Sequence, residues 1–269
     1  ISMRKIYIVD RDAFICLDKE ATPQFWGAHW SSRLDRQTII SSPKSWVYRC
    51  TRKYLPPGAA ILEGGCGMGQ FVYSLMVNGY RAIGVDTATA TIEAVRRMAP
   101  ELDVRIGDIC NLAFEESSFD GYWSLGVIEH NWGGYQQYVM EMDRVLKAGG
   151  YLFISFPAIS LLRRIKIAFG RYDAVKSIDA QPPGFYQFIL DKNRVRRDIE
   201  SVGFELIETQ WLAGVKGVKE ELPIFGVIIE YAQRRNSRLA NRVIFLFDLL
   251  IRWATGNSVL LVFRKNKDS

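Results

Sequence analysis

The sequence predicts an α/β fold, a three-layer sandwich with a mostly parallel sheet between two layers of helices. Three observations predict it. From residue 59 onward, short β-branched runs alternate with helix-length stretches, the rhythm of strand–helix–strand units. A glycine cluster, "GGCGMG" at 64–69, closes the first apolar run. Glu63, Asp86 and Asp108 end three successive strand-like runs, so three carboxylates fall at the sheet edge where open α/β folds bind ligands.

Each element has a local reason. Residues 1–58 precede the sheet and read as an N-terminal lid or substrate segment, with "FWGAHW" at 25–30 and a helix over 45–54. "AAILEG" (59–64) is the first strand, followed by a helix over 67–78. "RAIGVD" (81–86) is the second strand, and the helix over 87–98 is ended by Pro100. "DVRIGD" (103–108) and "FDGYWSLG" (119–126) are the third and fourth strands. A helix over 135–146 stops at Gly149 and Gly150, and "YLFISF" (151–156) is the fifth strand.

A first insertion, 157–190, holds the basic apolar stretch "LLRRIKIAFGRY" and the turn-rich "QPPGFYQF". A helix over 191–201 ends at Gly203. "FELIETQWL" (204–212) and "SVLLVFRK" (258–265) read as closing strands around a second insertion, 214–256, with a basic amphipathic helix over roughly 234–253. Residues 59–269 thus read as one ligand-binding domain carrying both insertions.

Composition bounds the alternatives. The 269 residues are 48% hydrophobic and 24% charged, which is ordinary globular content. A net charge of +6 permits an anionic partner without demanding one. Cys16, Cys50, Cys66 and Cys110 form no CxxC pair, so neither a zinc site nor a disulfide framework is expected, and a cytoplasmic setting is. Arg4 and Lys5 are followed by only a short apolar stretch, unlike a signal peptide. The apolar run 243–251 is broken by Asp248 and too short to span a bilayer.

The glycine loop does not suit every nucleotide. Its register is Gly65-x-Gly67-x-Gly69, with Gln70 where a dinucleotide fingerprint needs its last glycine, and no Gly-Lys-Ser/Thr follows. Glu63 at the loop would repel a pyrophosphate, but not an ammonium or a sulfonium. Asp86 is placed to accept from ribose hydroxyls, and Asp108 from an adenine amino group. Together these point to S-adenosylmethionine. Either aspartate alone could equally be a helix cap.

"LEGGCGMGQ", "GVDTA", "GDICNLAFEESSFDGYWSLGVIEH" and "VLKAGGYLFIS" resemble the successive motifs of class I S-adenosylmethionine-dependent methyltransferases. The resemblance covers 59–156 closely and 191–212 with 258–265 more loosely. It implies a Rossmann-like seven-stranded sheet in the order 3-2-1-4-5-7-6, the last strand antiparallel. It assigns Glu63, Gly65 and Gly67 to the cofactor loop and Asp86 to the ribose. It assigns Asp108 with Ile109 to the adenine, and Leu125 with Gly126 to the strand beneath the cofactor. Gly64, Gln70 and Thr87, adjacent to these, complete the expected cofactor set.

Methyl transfer to a hydroxyl benefits from a base that titrates near neutrality. Of the two histidines, His130 follows Glu129 just beyond the fourth strand, and this pair is the expected catalytic base or a brace for the loop. Some ubiquinone-pathway O-methyltransferases hold a metal here, but Gly126 replaces the first of their glutamates, so no metal is expected. Trp26, His29 and Trp30 read as an aromatic lid, or as core packing. Trp123, Trp132, Tyr135 and Tyr186 are expected to line the acceptor site.

The insertions should choose the acceptor. Arg163, Arg164, Lys166 and Arg171 alternate with apolar residues, and Arg235, Arg238 and Arg242 share a helical face next to 243–251. Such stretches read as peripheral membrane contact or as the solvated face of a lid. The expected activity is methyl transfer to oxygen or nitrogen of a small or lipid-linked metabolite, of sugar, quinone or natural-product type. A non-catalytic S-adenosylmethionine-binding protein is the alternative. Nucleic acid ranks lowest, because no RNA-binding module and no Asn/Asp-Pro-Pro-Tyr-type motif is present.

Overall fold

A computed structural model describes residues 3–18, 20–32, 34–234 and 237–267. Arg235 of the expected basic face lies outside the described residues.

In chain order, a hairpin of β1 (Arg4–Ile8) and β2 (Ala13–Leu17) leads into helices α1 (Pro23–Ser31), α2 (Arg36–Ile40) and α3 (Trp46–Thr51). The alternating core follows: β3 (Ala60–Gly64), α4 (Gln70–Met76), β4 (Arg81–Asp86), α5 (Thr89–Met98), β5 (Asp103–Ile106), β6 (Phe119–Leu125), α6 (Gln136–Val145) and β7 (Leu146–Pro157). Then come α7 (Leu161–Ala168), β8 (Asp173–Val175), β9 (Phe185–Ile189), α8 (Lys192–Glu200) and β10 (Phe204–Leu212). The chain closes with α9 (Gly214–Glu221), α10 (Pro223–Arg234), α11 (Arg238–Thr255) and β11 (Ser258–Lys265).

The main sheet has seven strands in the order β10-β11-β7-β6-β3-β4-β5, the predicted order. β3 to β7 run parallel, and β11 inserts antiparallel between β7 and β10. Strand alternation divides the core into two faces. Leu62, Tyr122, Ile154 and Leu261 face α6 and α8, while Ile61, Trp123, Phe153 and Leu260 face α3. Trp123, expected at the acceptor site, is therefore core. It is fully buried, stacked on Phe153 at 4.3 Å, and its Nε1 donates to Thr51 Oγ1 at 3.0 Å.

The N-terminal segment and the first insertion meet in a second sheet, order β8-β1-β2-β9, which the sequence reading did not foresee. Ala13 and Ile15 of β2 join the main core, while Phe14 and Cys16 pack on Ile159 and Ile189. Among its described residues the second insertion holds three helices, and α11 takes most of the expected amphipathic stretch. α9 is fixed to α7 and β1 by a buried ionic cluster: Glu221 meets Lys5 at 2.8 Å, Arg163 at 3.0 Å and Lys166 at 2.7 Å. Arg164 is held by Asp12 and Asp191, each at 2.6 Å. The cations of α7 read as an open basic face are thus mostly consumed inside the fold.

Candidate functional site

The carboxyl ends of β3, β4 and β6 open into a cleft of about 210 Å³, whose lining includes Trp26, Trp30, Gly65, Asp86, Thr87, Asp108, Ile109, Leu125, Gly126 and His130. The glycine loop between β3 and α4 forms its floor. Gly65 at φ +78° and Gly67 at φ +49° are left-handed, which penalises any side chain. Space forbids one as well. A Cβ on Gly65 would lie 2.5 Å from Val127 Cγ2, and one on Gly67 would lie 2.8 Å from Trp30 Cε2. Trp30 thus closes directly over the loop.

Asp86 ends β4 and organises this floor. Its Oδ2 accepts from the Gly67 amide at 2.8 Å and its Oδ1 from the Ala88 amide at 2.9 Å. Asp86 caps neither flanking helix, whose N-caps are Gly69 and Ala88; it ties the glycine loop to the start of the next turn and lines the cleft. Asp108 is exposed at the rim and accepts from the Cys110 amide at 2.9 Å, with Ile109 buried beside it. Glu63 is buried at the end of β3, and its Oε2 has no hydrogen-bond partner among the described residues. Burial, with Asp86 adding to it, pushes the Glu63 carboxyl well above the usual range. An orphaned buried carboxylate oxygen is costly and calls for a donor. A ligand bearing an ammonium supplies one, and the acidic set with its bare loop fits S-adenosylmethionine.

A second cavity, of about 770 Å³, shares Trp26, Trp30, Leu125, Gly126 and His130 with the cleft and continues past Glu129, Ser155 and Tyr186 to α9. His130 sits where the two join, in a 3₁₀ turn spanning Ile128–His130 just after β6. Its Nδ1 lies 2.7 Å from the Tyr186 carbonyl oxygen. A carbonyl only accepts, so Nδ1 carries the proton and Nε2 of the neutral ring is an acceptor. Burial lowers the pKa of His130, with the Tyr186 carbonyl opposing. Glu129 Oε1 stands 4.0 Å from Nε2, its Oε2 has no partner among the described residues, and burial pushes its carboxyl up to about 8. Trp26 and Tyr186 place their rings edge-on to the imidazole at 4.9 and 5.1 Å.

Glu63 and Gly67, although expected in the cofactor set, line neither the cleft nor the larger cavity, and besides Trp123 five further expected residues stand elsewhere. Gly64 lies within β3, where a Cβ would be 2.0 Å from the Tyr122 hydroxyl, so strand packing demands it. Gln70 begins α4 and lines a separate hollow with Trp46 and Phe71. Trp132 lines another pocket, stacked on Phe188 at 5.4 Å with the Arg11 guanidinium 4.7 Å from its ring. Tyr135 is buried and donates to Asp198 Oδ2 at 2.6 Å. His29 packs among Phe25, Trp26 and Trp30 within α1. Conversely, Val127 and Tyr138 in the cleft, and Asp18, Lys216 and Lys219 in the larger cavity, were not anticipated. They come from segments far apart in the chain and carry no motif of their own.

A family model described as a methyltransferase domain matches residues 62–154. The chain is 32% identical over 152 residues to a probable S-adenosylmethionine-dependent methyltransferase of Mycolicibacterium smegmatis, covering 56% of this chain and 54% of that protein. It is 36% identical over 142 residues to a probable tRNA methyltransferase 9B of Bos taurus, covering 47% and 30%. The chain thus spans about half, or less, of the length of these curated relatives. Among solved structures, it resembles the Haemonchus contortus phospholethanolamine N-methyltransferase 2 in complex with phosphomonomethylethanolamine and S-adenosylhomocysteine. The TM-score is 0.56 at 19% identity, covering 90% of this chain and 58% of that one, and the likeness is one of fold.

Proposed function

We propose that this chain, whose residues 62–154 form a class I S-adenosylmethionine-dependent methyltransferase domain, methylates an oxygen or nitrogen of a small or lipid-linked metabolite of sugar, quinone or natural-product type. One observation carries the reading. His130 stands at the junction of cleft and cavity with Nδ1 tied to Tyr186, leaving Nε2 to receive a proton.

S-adenosylmethionine, when bound, supplies a methyl group already made electrophilic by its sulfonium. What remains for the chain is orientation, which can be worth roughly 7–11 kcal/mol. Glu63, Asp86 and Asp108 would hold the ammonium, the ribose and the adenine in turn. Trp26 and Trp30 exclude water from the seam between the two spaces. Burial keeps the His130 imidazole neutral, the form able to take a proton from the acceptor at Nε2. Glu129 lies 4.0 Å away; its carboxyl, pushed by burial up to about 8, would stabilise the imidazolium only once ionised.

The test follows a labelled methyl group from S-adenosylmethionine into a cell extract separated into aqueous metabolites, lipids and nucleic acid. Label is expected in a metabolite or lipid fraction. His130→Asn should lower turnover by about 10²–10⁴ while calorimetric binding of S-adenosylhomocysteine stays near normal. Label in nucleic acid overturns the acceptor class. Cofactor binding without label in any fraction identifies a non-catalytic binder.

A further inference from the structure

The helices α10 and α11 carry apolar faces that no other part of the described chain covers. On α10, Ile224, Val227 and Ile228 recur at spacings of three and four and are 78%, 69% and 61% exposed. On α11, Leu246, Leu250 and Trp253 do the same at 54%, 72% and 63%. Single exposed aliphatics are ordinary, but two successive helices showing such stripes mark an interaction surface. The pair has a rigid base. A Cβ on Gly217 would lie 1.6 Å from the Thr255 carbonyl oxygen, so the backbones of α9 and α11 touch, and Thr255 Oγ1 donates to the Gly214 carbonyl at 3.1 Å.

We infer that this pair of helices docks in the plane of an anionic lipid surface. Charge selects that occupant. Residues 223–255 hold five arginines (Arg234, Arg235, Arg238, Arg242 and Arg252) against two acids, Glu230 and Asp248. Both acids turn toward α9: Glu230 pairs with Lys219 at 3.1 Å, and Asp248 accepts from the Val215 amide at 2.8 Å. An exposed apolar face on an arginine-rich segment whose two acids are paired toward α9 suits an interfacial helix. A second copy of a chain of net charge +6 is a poorer match, because the two would repel. No helix of the described residues is long and apolar enough to cross a membrane, so contact is in-plane.

The position of the pair connects it to the larger cavity. Pro223, the first residue of α10, and Lys216 and Lys219 of α9 belong to the lining of that cavity. Docking sets its α9 end at the headgroup layer, so a lipid-linked acceptor can reach His130 while its tail stays in the bilayer. This last step rests on the methyltransferase reading, whereas the docking itself does not.

Co-sedimentation with vesicles tests it. Wild-type protein at low salt should be retained at least about 10-fold more on vesicles of phosphatidylcholine with phosphatidylglycerol than on phosphatidylcholine alone. The double variant Ile228→Glu, Leu250→Glu changes exposed positions, so its thermal midpoint and its S-adenosylhomocysteine affinity should not move. Its retention should fall to background. Absence of wild-type retention, or retention unaffected by the variant, overturns the inference. So does a dimer seen by light scattering that the variant splits, which assigns the face to a second copy. Intact S-adenosylhomocysteine binding in the same preparation keeps the methyltransferase reading separate from any such failure.

Discussion

Glu129→Gln should flatten the pH dependence of stability, and the size of the effect follows from the environment of Glu129. The carboxyl is 2% exposed, has one oxygen without a partner among the described residues, and is pushed by burial from 4.5 to about 8. A carboxyl whose folded pKa exceeds its unfolded value holds more protons folded than unfolded in the interval between them. Stability therefore falls as pH rises from about 4.5 to about 8 and is flat outside that window. Between about pH 5 and about pH 8 this one group removes about 3.5 kcal/mol, at 1.4 kcal/mol per pKa unit. Glutamine does not titrate, so the variant should lack that slope. Glu63 and Cys66, also raised by burial, titrate in both proteins and cancel in the comparison. Urea unfolding followed by tryptophan fluorescence at several pH values measures the difference directly. Any constant offset reflects how well the glutamine amide is accommodated. Wild-type and variant curves that stay parallel to within roughly 0.5 kcal/mol across the window would refute the assignment of a buried, proton-retaining Glu129.

Three further outcomes can be checked. Asp86→Ala removes the acceptor for the Gly67 and Ala88 amides together with the expected ribose contact, so S-adenosylhomocysteine affinity should drop by about 1.5–3 kcal/mol in calorimetry. An unchanged affinity removes Asp86 from the cofactor set. Gly67→Ala forces a methyl group into a left-handed position 2.8 Å from Trp30 Cε2. It should cost roughly 1–3 kcal/mol of stability in urea unfolding. In a Trp30→Ala background that cost should shrink by more than about 0.5 kcal/mol, since the two residues touch. Glu221→Ala takes the carboxylate from Lys166 and leaves Lys5 and Arg163 with Glu220 alone. Although burial alone would raise the Glu221 pKa, Lys5, Lys166 and Tyr172 pull it well below the usual carboxylate range. Its removal should cost about 3–5 kcal/mol, and a loss below about 1 kcal/mol would show the cluster to be dispensable.

The sequence by itself determined the seven-stranded sheet and the composition of the cleft floor. Strand–helix alternation and the left-handed glycines are local properties, dictated by side-chain period and by backbone sterics over a few residues. Gly65, Asp86 and Asp108 were legible for that reason, each lying at or just past a strand end that chain order alone places on one edge. Only the tertiary structure decided the rest. β1 (RKIYI) and β2 (AFICL) are two five-residue runs around Val9–Asp12, a pattern that a hairpin reading could have caught. Their partners β8 and β9 lie about 170 residues away, beyond the reach of any local signal. Trp123, Trp132 and Tyr135 look alike in sequence as aromatics near the fourth strand. Which of them meets the cleft depends on the face each residue takes in the packed layers, and none of the three does. The role of His130 rests on a carbonyl 56 residues away in β9, because a ring tautomer is set by what packs against it and not by its neighbours in the chain.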